Sequence, residues 1–375
     1  MGLEIREVTT LGDLRRFVRF QLDLYRNHPY FIPPLSFDEL NTLRRDRNPA
    51  FAESEACYWL AWCDGRVVGR IAAIVCRPFI KKWGEPTGRF GWFDFIDDAE
   101  VSAALLATAE DWLRAKGMTA LVGPMGFTDL DKEGMLVEGF EELGTMPMLY
   151  NYPYYQTHME RLGYRKDADW IEFEIKVPEA IPEKALRVQE LIAKRSGVHL
   201  LEWKHGREIA SAYGRELFEL IDEAYAGLYG TVPLSEAQVS AYIKQYLGYI
   251  DPRFTKLVVD ADGRLVCFAI AMPSLSRALQ QARGRLLPFG WLHLLRALRK
   301  PDGMDMYLVA VRKEYQSRGV VALLMTSLTA DCIKTGVRTA ETAGELETNH
   351  AVQSIWNDYE KRQHKRRRVY RKDLV

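Results

Sequence analysis

The chain has 375 residues, 47% hydrophobic and 27% charged, with 51 basic side chains against 51 acidic ones. That length accommodates two folded domains, and the charge balance excludes a global field drawing the protein to nucleic acid or an anionic surface. Five cysteines, Cys57, Cys63, Cys76, Cys267 and Cys332, stand apart in apolar surroundings with no CxxC pair. They read as reduced core residues, which excludes a zinc or disulfide framework.

The N-terminal MGLEIREVTT lacks the apolar core of a signal peptide. No run approaches the roughly 20 apolar residues of a membrane span, so a cytoplasmic protein is expected. YWLAWCDGRVVGRIAAIV, residues 58–75, is two β-rich runs joined at Asp64-Gly65, a hairpin signal. The turn FDFIDDAEVSAALL carries Asp94, Asp97, Asp98 and Glu100; Asp97 or Asp98 suits an N-cap, and an anion would be repelled there. The helix that follows places Leu105, Leu106, Ala109, Trp112 and Leu113 on one face and stops at Gly117. GPMGFTDLDKEGMLVEGFEELGTMP, rich in glycine and acids, reads as a loop that shapes a pocket. Its Asp129, Asp131 and Glu133 alternate like a calcium loop without the remaining ligands, so no metal is expected.

Pro178 and Pro182 in KVPEAIPEKA deny a continuous helix and set a domain boundary near 176–183, dividing the chain into 1–177 and 178–375. The order of elements then repeats. FTKLVVDADGRLVCFAIAMP is a second hairpin, at Asp262-Gly263. In SRALQQARGRLLPFGWLHLLRALRK, residues 276–300, Leu287, Trp291, Leu294, Leu295 and Leu298 line one helical face. Packing on its own domain or a partner chain is preferred there to membrane-surface contact. YLVAVRKEYQSRGVVALLM, residues 307–325, is a strand, a charged turn and a helix stopped by Gly336; such a helix start offers unpaired amides and a positive dipole end to a phosphate. From Lys361 to Lys372 eight of twelve residues are Lys or Arg, a candidate surface for RNA, an acidic carrier or a phosphate, or else a solvated last strand. The whole reads as α+β, a duplicated domain with a mixed sheet in each half.

Gln316, Ser317, Arg318 and Gly319 resemble the pyrophosphate loop of the GNAT acyltransferase superfamily, Arg/Gln-x-x-Gly-x-Gly/Ala, with Val321 where Gly or Ala is usual. NHPYFIPPL, YNYPYYQTHMERLGYRK, LYGTVPLSEAQ and RRRVYRK extend the similarity to bacterial tandem GNAT-like proteins over nearly the whole chain. The resemblance implies two GNAT-like domains, the first having lost coenzyme A binding. It implies a cradle of Gln316, Ser317, Arg318, Gly319, Val320, Val321 and Ala322, with pantetheine along the main chain of Val309 and Val311. Asn349 would open the helix after the fifth strand, and Trp356 stands where the family's acidic tyrosine is usual, leaving Tyr359 as candidate acid. For a base, Glu341 and Glu347 are preferred to Glu345, all three expected on one face by alternation, with Asp305 another choice.

The expected activity is N-acyl transfer from acetyl-coenzyme A or another acyl-coenzyme A to a small-molecule or peptide amine, without metal or DNA and with RNA disfavoured. A non-catalytic binder of coenzyme A or an acyl ligand, and an aminoacyl-tRNA-dependent transferase, are the alternatives. Acceptor, acyl length and oligomeric state stay open.

Overall fold

A computed structural model describes residues 2–374. The first half runs β1 (Glu4–Glu7), α1 (Leu11–Leu24), α2 (Ser36–Leu43), β2 (Ser54–Cys63), β3 (Arg66–Cys76), α3 (Arg77–Trp83), β4 (Thr87–Phe95), α4 (Ala99–Ala115), β5 (Ala120–Gly123), β6 (Met135–Glu138), α5 (Tyr154–Arg161) and β7 (Arg165–Lys176). The second runs α6 (Glu183–Ser196), β8 (His199–Leu201), α7 (Gly206–Tyr225), α8 (Glu236–Gln245), β9 (Thr255–Val259), β10 (Leu265–Pro273), α9 (Ser276–Ala282), α10 (Gly290–Arg299), β11 (Gly303–Val311), α11 (Val321–Thr335), β12 (Thr339–Thr342), β13 (Glu345–Leu346), α12 (His350–Gln353) and β14 (Lys361–Asp373). The fold is α+β, with both expected hairpins present: β2 and β3 turn tightly through Asp64 and Gly65, both at positive φ, and β9 and β10 turn at 260–264.

The two sheets are continuous. Their order is β1-β2-β3-β4-β5-β14-β7-β12-β11-β10-β9-β8, so the last strand of each half completes the sheet of the other. Helices fill both faces. On the first half, α4 lays Val101, Leu105, Ala109 and Leu113 on β2–β4. Gly88 makes room for that contact, since a Cβ there would stand 2.4 Å from Leu113 Cδ2. On the second half, α7 packs one face of β9–β11 through Leu217, Phe218 and Ile221, and α11 packs the other through Leu324 and Leu328. All five cysteines are free thiols, four of them buried.

β14 corrects both readings of the basic run, because it is a central strand and its cations are matched internally. Arg362 pairs with Glu142 and Glu174, Lys365 with Glu341 and Glu172, and Arg366 with Glu138, Asp169 and Glu347. Arg367 pairs with Glu172, Arg368 with Asp169, Arg371 with Glu85 and Lys372 with Glu110. Of the eight, Lys361 alone forms no ion pair among the described residues, and it lies over the Phe173 ring. At the centre Glu172 and Arg367 are 0% and 1% exposed. Burial alone would push the Glu172 carboxyl up, but Arg367 and Lys365 hold it below the usual range.

Removing one partner of a buried ion pair strands the other, at a cost of about 3–5 kcal/mol. Glu172→Ala should lose stability of that order in urea denaturation, far more than the same change at half-exposed Glu347. Fragments 1–177 and 178–375, each lacking the strand that closes its sheet, should show no cooperative unfolding alone and recover it on coexpression.

Candidate active site

The turn between β11 and α11 is built around two residues at positive φ, Ser317 at 65° and Gly319 at 75°. It leaves four amides, those of Ser317, Gly319, Val320 and Val321, with no hydrogen bond among the described residues. They stand at the positive end of a 15-residue helix, an arrangement suited to a phosphate. The Ala322 amide is not among them, since it donates to Gly319 O at 2.9 Å. Gln316 sends its side-chain amide back to Val311 O at 3.2 Å, and exposed Arg318 lies 5.1 Å over the Tyr315 ring. Gly319 is required by its φ and by α6, because a Cβ would come within 2.8 Å of Ile192 Cδ1. The side of the glycine without a Cβ therefore meets an isoleucine. Val320 is buried there with Leu323 and Leu324, and Val321 is half-buried.

Below the turn the sheet opens. β11 and β12 run parallel only from Gly303/Thr339 to Met306/Thr342, and the Ala343 amide closes the apex on Met306 O at 2.9 Å. β13 then leaves to pair with β7 through Glu345/Ile171 and Leu346/Trp170. From Tyr307 to Val311, β11 therefore has no strand on that side. Arg312 N–H bonds Val266 O on the β10 side, so alternation turns the peptide groups of Val309 and Val311 into the opening. The Tyr225 hydroxyl donates to Val309 O at 3.0 Å.

Glu345 is the acid at this opening. It is buried, one carboxylate oxygen accepts from Trp356 Nε1 at 2.7 Å, and the other has no partner. Burial pushes the carboxyl up to about 7. Tyr225 is raised to about 12, by burial first and then by the charges of Asp129 and Glu345. Trp356 and Tyr359 line a small apolar cavity of about 20 Å³ with Met304, Met306 and Met325. The Tyr359 hydroxyl meets Thr329 Oγ1 of α11 at 3.1 Å, and burial raises its pKa. Asn349 caps α12 as expected, accepting from the Val352 amide at 3.4 Å.

The three glutamates do not share a face, because Ala343 and Gly344 separate β12 from β13 and break the alternation. Glu341 pairs with Lys365 and lies 3.3 Å from His364 Nε2 in the β7–β14 joint. Glu347 is held by Lys166 and Arg366. Asp305, beside Glu341, is pushed up to about 7 by burial and then by that neighbour's charge, with one oxygen unpartnered. Glu172, Glu341 and His364 converge closely enough to hold a metal ion, but Lys365 and Arg367 already supply positive charge to those carboxylates. Sequence reasoning named Glu345 without preferring it, and its bond to Trp356, eleven residues on, leaves no local pattern.

Both halves enclose a second cavity, about 140 Å³, beside Tyr225. α7 and α8 line one wall, with Lys82, Asp129 and Leu130 from the first half. Asp129 and Leu130 come from the glycine-rich loop, and Asp129 Oδ1 accepts from the Val232 amide at 2.9 Å. Asp131 accepts from the amides of Phe127 and Thr128, and burial raises it to about 6. At the corresponding turn of the first half, Asp98 is the N-cap and takes the amides of Glu100 and Val101. The Phe95 N–H donates to Tyr155 Oη at 3.2 Å, and Phe95 O accepts from the Tyr154 hydroxyl. Aromatic rings of Phe93, Phe95 and Tyr155 pack there.

Asp131, Asp305 and Glu345 all hold their protons more tightly folded than unfolded, where carboxyls titrate near 4. Their stabilising effect is complete below that value and is lost as pH rises through 6 to 7. The unfolding free energy read from urea titrations should therefore fall from pH 5 to pH 8, by about 1.4 kcal/mol per pH unit for each group until its folded value is passed. Asp305→Asn/Glu345→Gln should flatten the profile, whereas an unchanged slope would show that these carboxyls titrate normally.

No family model matches the chain. Two curated bacterial proteins align along its whole length: Protein YghO of Escherichia coli K12 is 30% identical over 381 residues, covering 99% of this chain and 95% of that protein. The bacterial ceramide synthase of Caulobacter vibrioides NA1000 is 31% identical over 386 residues, covering 99% and 98%. Among solved structures, a tandem GNAT protein from the clavulanic acid biosynthesis pathway superposes with a TM-score of 0.58 at 18% identity, covering 100% of this chain and 99% of that one. A GCN5-related N-acetyltransferase from Sphaerobacter thermophilus gives 0.53 at 13% identity, covering 99% and 96%. The splayed strands and the free amides at the start of α11 lie within the full-length alignments; the chain has the fold of the tandem GNAT proteins and belongs to the family of YghO and the bacterial ceramide synthase.

Proposed function

We propose that the protein is an acyl-coenzyme A-dependent N-acyltransferase acting through its second half, with the first half lacking a coenzyme A site and helping to enclose the acceptor. One observation carries this: four unengaged amides at the head of α11 stand directly above an unpaired strand edge, which suits a pyrophosphate followed by an extended pantetheine arm. In the first half the equivalent amides and the Phe95 main chain are engaged by Asp98, Tyr154 and Tyr155. The 140 Å³ cavity would take the amine; Glu219 and Asp222 on its wall make no ion pair among the described residues and favour a cationic acceptor. Since one relative is named a ceramide synthase, and ceramides are amides of long-chain amino alcohols, such an amine is the first acceptor to try.

In the reaction a C–N bond forms at the thioester carbonyl, the C–S bond breaks, and the amine proton must leave. Glu345, with a free oxygen and a pKa near 7, is our candidate to take it. Glu341 and Glu347, already ion-paired, would keep structural roles, and Tyr359 would furnish the thiolate proton only by leaving Thr329. The internal pairing of β14 removes the basic run that favoured a tRNA-dependent enzyme.

The test follows thiol release from acetyl- and longer acyl-coenzyme A across an amine panel, with calorimetry for binding. Glu345→Gln should lower kcat by about 10²-fold or more with KM little changed. Arg318→Glu, which sets a negative charge beside the four amides, should raise Kd for the thioester by about tenfold or more. Wild-type protein that neither binds an acyl-coenzyme A nor releases thiol would overturn the assignment.

A further inference from the structure

Residues 276–301 hold α9, α10 and the turn between them, inserted between β10 and β11. One side is firmly anchored. Leu279 is fully buried, and Leu294, Ala297 and Leu298 pack around Ile32, Leu143 and Met146 of the first half. The Gln280 side chain donates to the carbonyls of Pro29 and Phe31 at 2.8 and 3.1 Å, and the Ser36 amide donates to Gly284 O at 3.1 Å.

The other side is bare. Leu287 is 78% exposed, Phe289 66%, Leu292 46%, Trp291 45% and Leu295 40%. Single exposed apolar side chains are ordinary, but five within nine residues form a patch that calls for a partner. α10 is thus apolar on two sides and buries only one of them within the protein. The sequence favours packing on its own domain or a partner chain; the inner side packs largely on the first half instead, and the outer side is left bare.

Charge identifies the outer partner. Between Ser276 and Pro301 there are six basic residues, Arg277, Arg283, Arg285, Arg296, Arg299 and Lys300, and no acid. None of the six forms an ion pair among the described residues, in a protein that matches seven of the eight cations of β14. A second copy docked symmetrically on this face would bring six cations against the same six, which repulsion opposes. An anionic lipid surface satisfies both features at once, taking apolar side chains below its phosphates and cations among them. Ten residues of helix, about 15 Å, suit a position in the plane of such a surface, and no helix among the described residues is long and apolar enough to cross a membrane.

We propose that the α9–α10 insertion docks the protein peripherally on an anionic phospholipid bilayer, through Leu287, Phe289, Trp291, Leu292 and Leu295 with the surrounding arginines. The full-length protein would be floated with vesicles of phosphatidylglycerol mixed with phosphatidylcholine, and with phosphatidylcholine alone. Wild type should favour the anionic vesicles by about tenfold, and Leu287→Ser/Phe289→Ser/Leu292→Ser should lose about tenfold or more. Arg296→Glu/Arg299→Glu should bind as weakly as wild type does in high salt. These side chains are exposed, so unchanged circular dichroism and urea midpoints would certify the variants as folded. Failure of wild type to float, equal flotation of all three proteins, or a wild-type dimer that the apolar variant turns into monomer would each overturn the proposal. Vesicle binding is read without acyl transfer, so this outcome is separate from that of the enzymatic reading.

Discussion

The buried contact between Glu172 and Arg367 is the constraint on which the rest of the molecule depends. It joins β7 to β14 at the place where the halves exchange strands, in a setting where neither charge tolerates the loss of the other. Its influence reaches the opening beside β11. Because β7 of the first half lies next to β12, it captures β13 through Ile171 and Trp170 and draws Glu345 away from β11. The gap in the second half is therefore made by a strand of the first. A feature that looks local to α11 is a product of the whole sheet.

The same framework is lined differently in the two halves. In the first, β4 and β5 also part after three paired residues, but tyrosines and phenylalanines fill the space, and Arg70 and Asp94 meet there in a second buried pair at 2.7 Å. Tyr25 and Tyr155 hydroxyls gather on Asp94, so the polar groups of that cleft serve one another. In the second half the polar groups are left facing outward or unmatched: amides at the turn, one oxygen each on Asp305 and Glu345, and the Tyr307 hydroxyl. One half spends its cleft on packing, while the other leaves hydrogen-bonding capacity in reserve, the condition a site needs before it can favour a ligand.

What was legible in the sequence was local. Asp64-Gly65 and Asp262-Gly263 turn, Asp98 and Asn349 cap, and Gly117 and Gly336 end helices, because each effect acts within a few residues. The strand exchange was not legible, since pairing of residue 172 with residue 365 leaves no mark at short range. β14 misled for a related reason: a central strand normally reads as apolar, and here the burial of its cations is made possible by acids scattered from Glu85 to Glu347. Gly319 stood out by its place at the turn, but nothing in the sequence pointed to Ile192, the side chain that a Cβ there would meet, on a helix more than a hundred residues earlier. Glu345 was named but not preferred, and the break of alternation at Ala343 and Gly344, which parts it from Glu341, was not foreseen.

Strand exchange also sets the order in which the chain can be completed during synthesis. β14 is made after every other strand, yet it lies between β5 and β7, so the first half emerges from the ribosome with the edge of β5 uncovered and no partner yet in existence. Such an edge invites pairing with another nascent chain. The acids awaiting β14, Glu110, Asp169 and Glu172 among them, then have a role in time as well as in space. Glu110 and Asp169 already have Arg114 and Lys166, but the ion pairs of Glu172 are with Arg367 and Lys365, both on β14, so its charge waits uncompensated until that strand arrives.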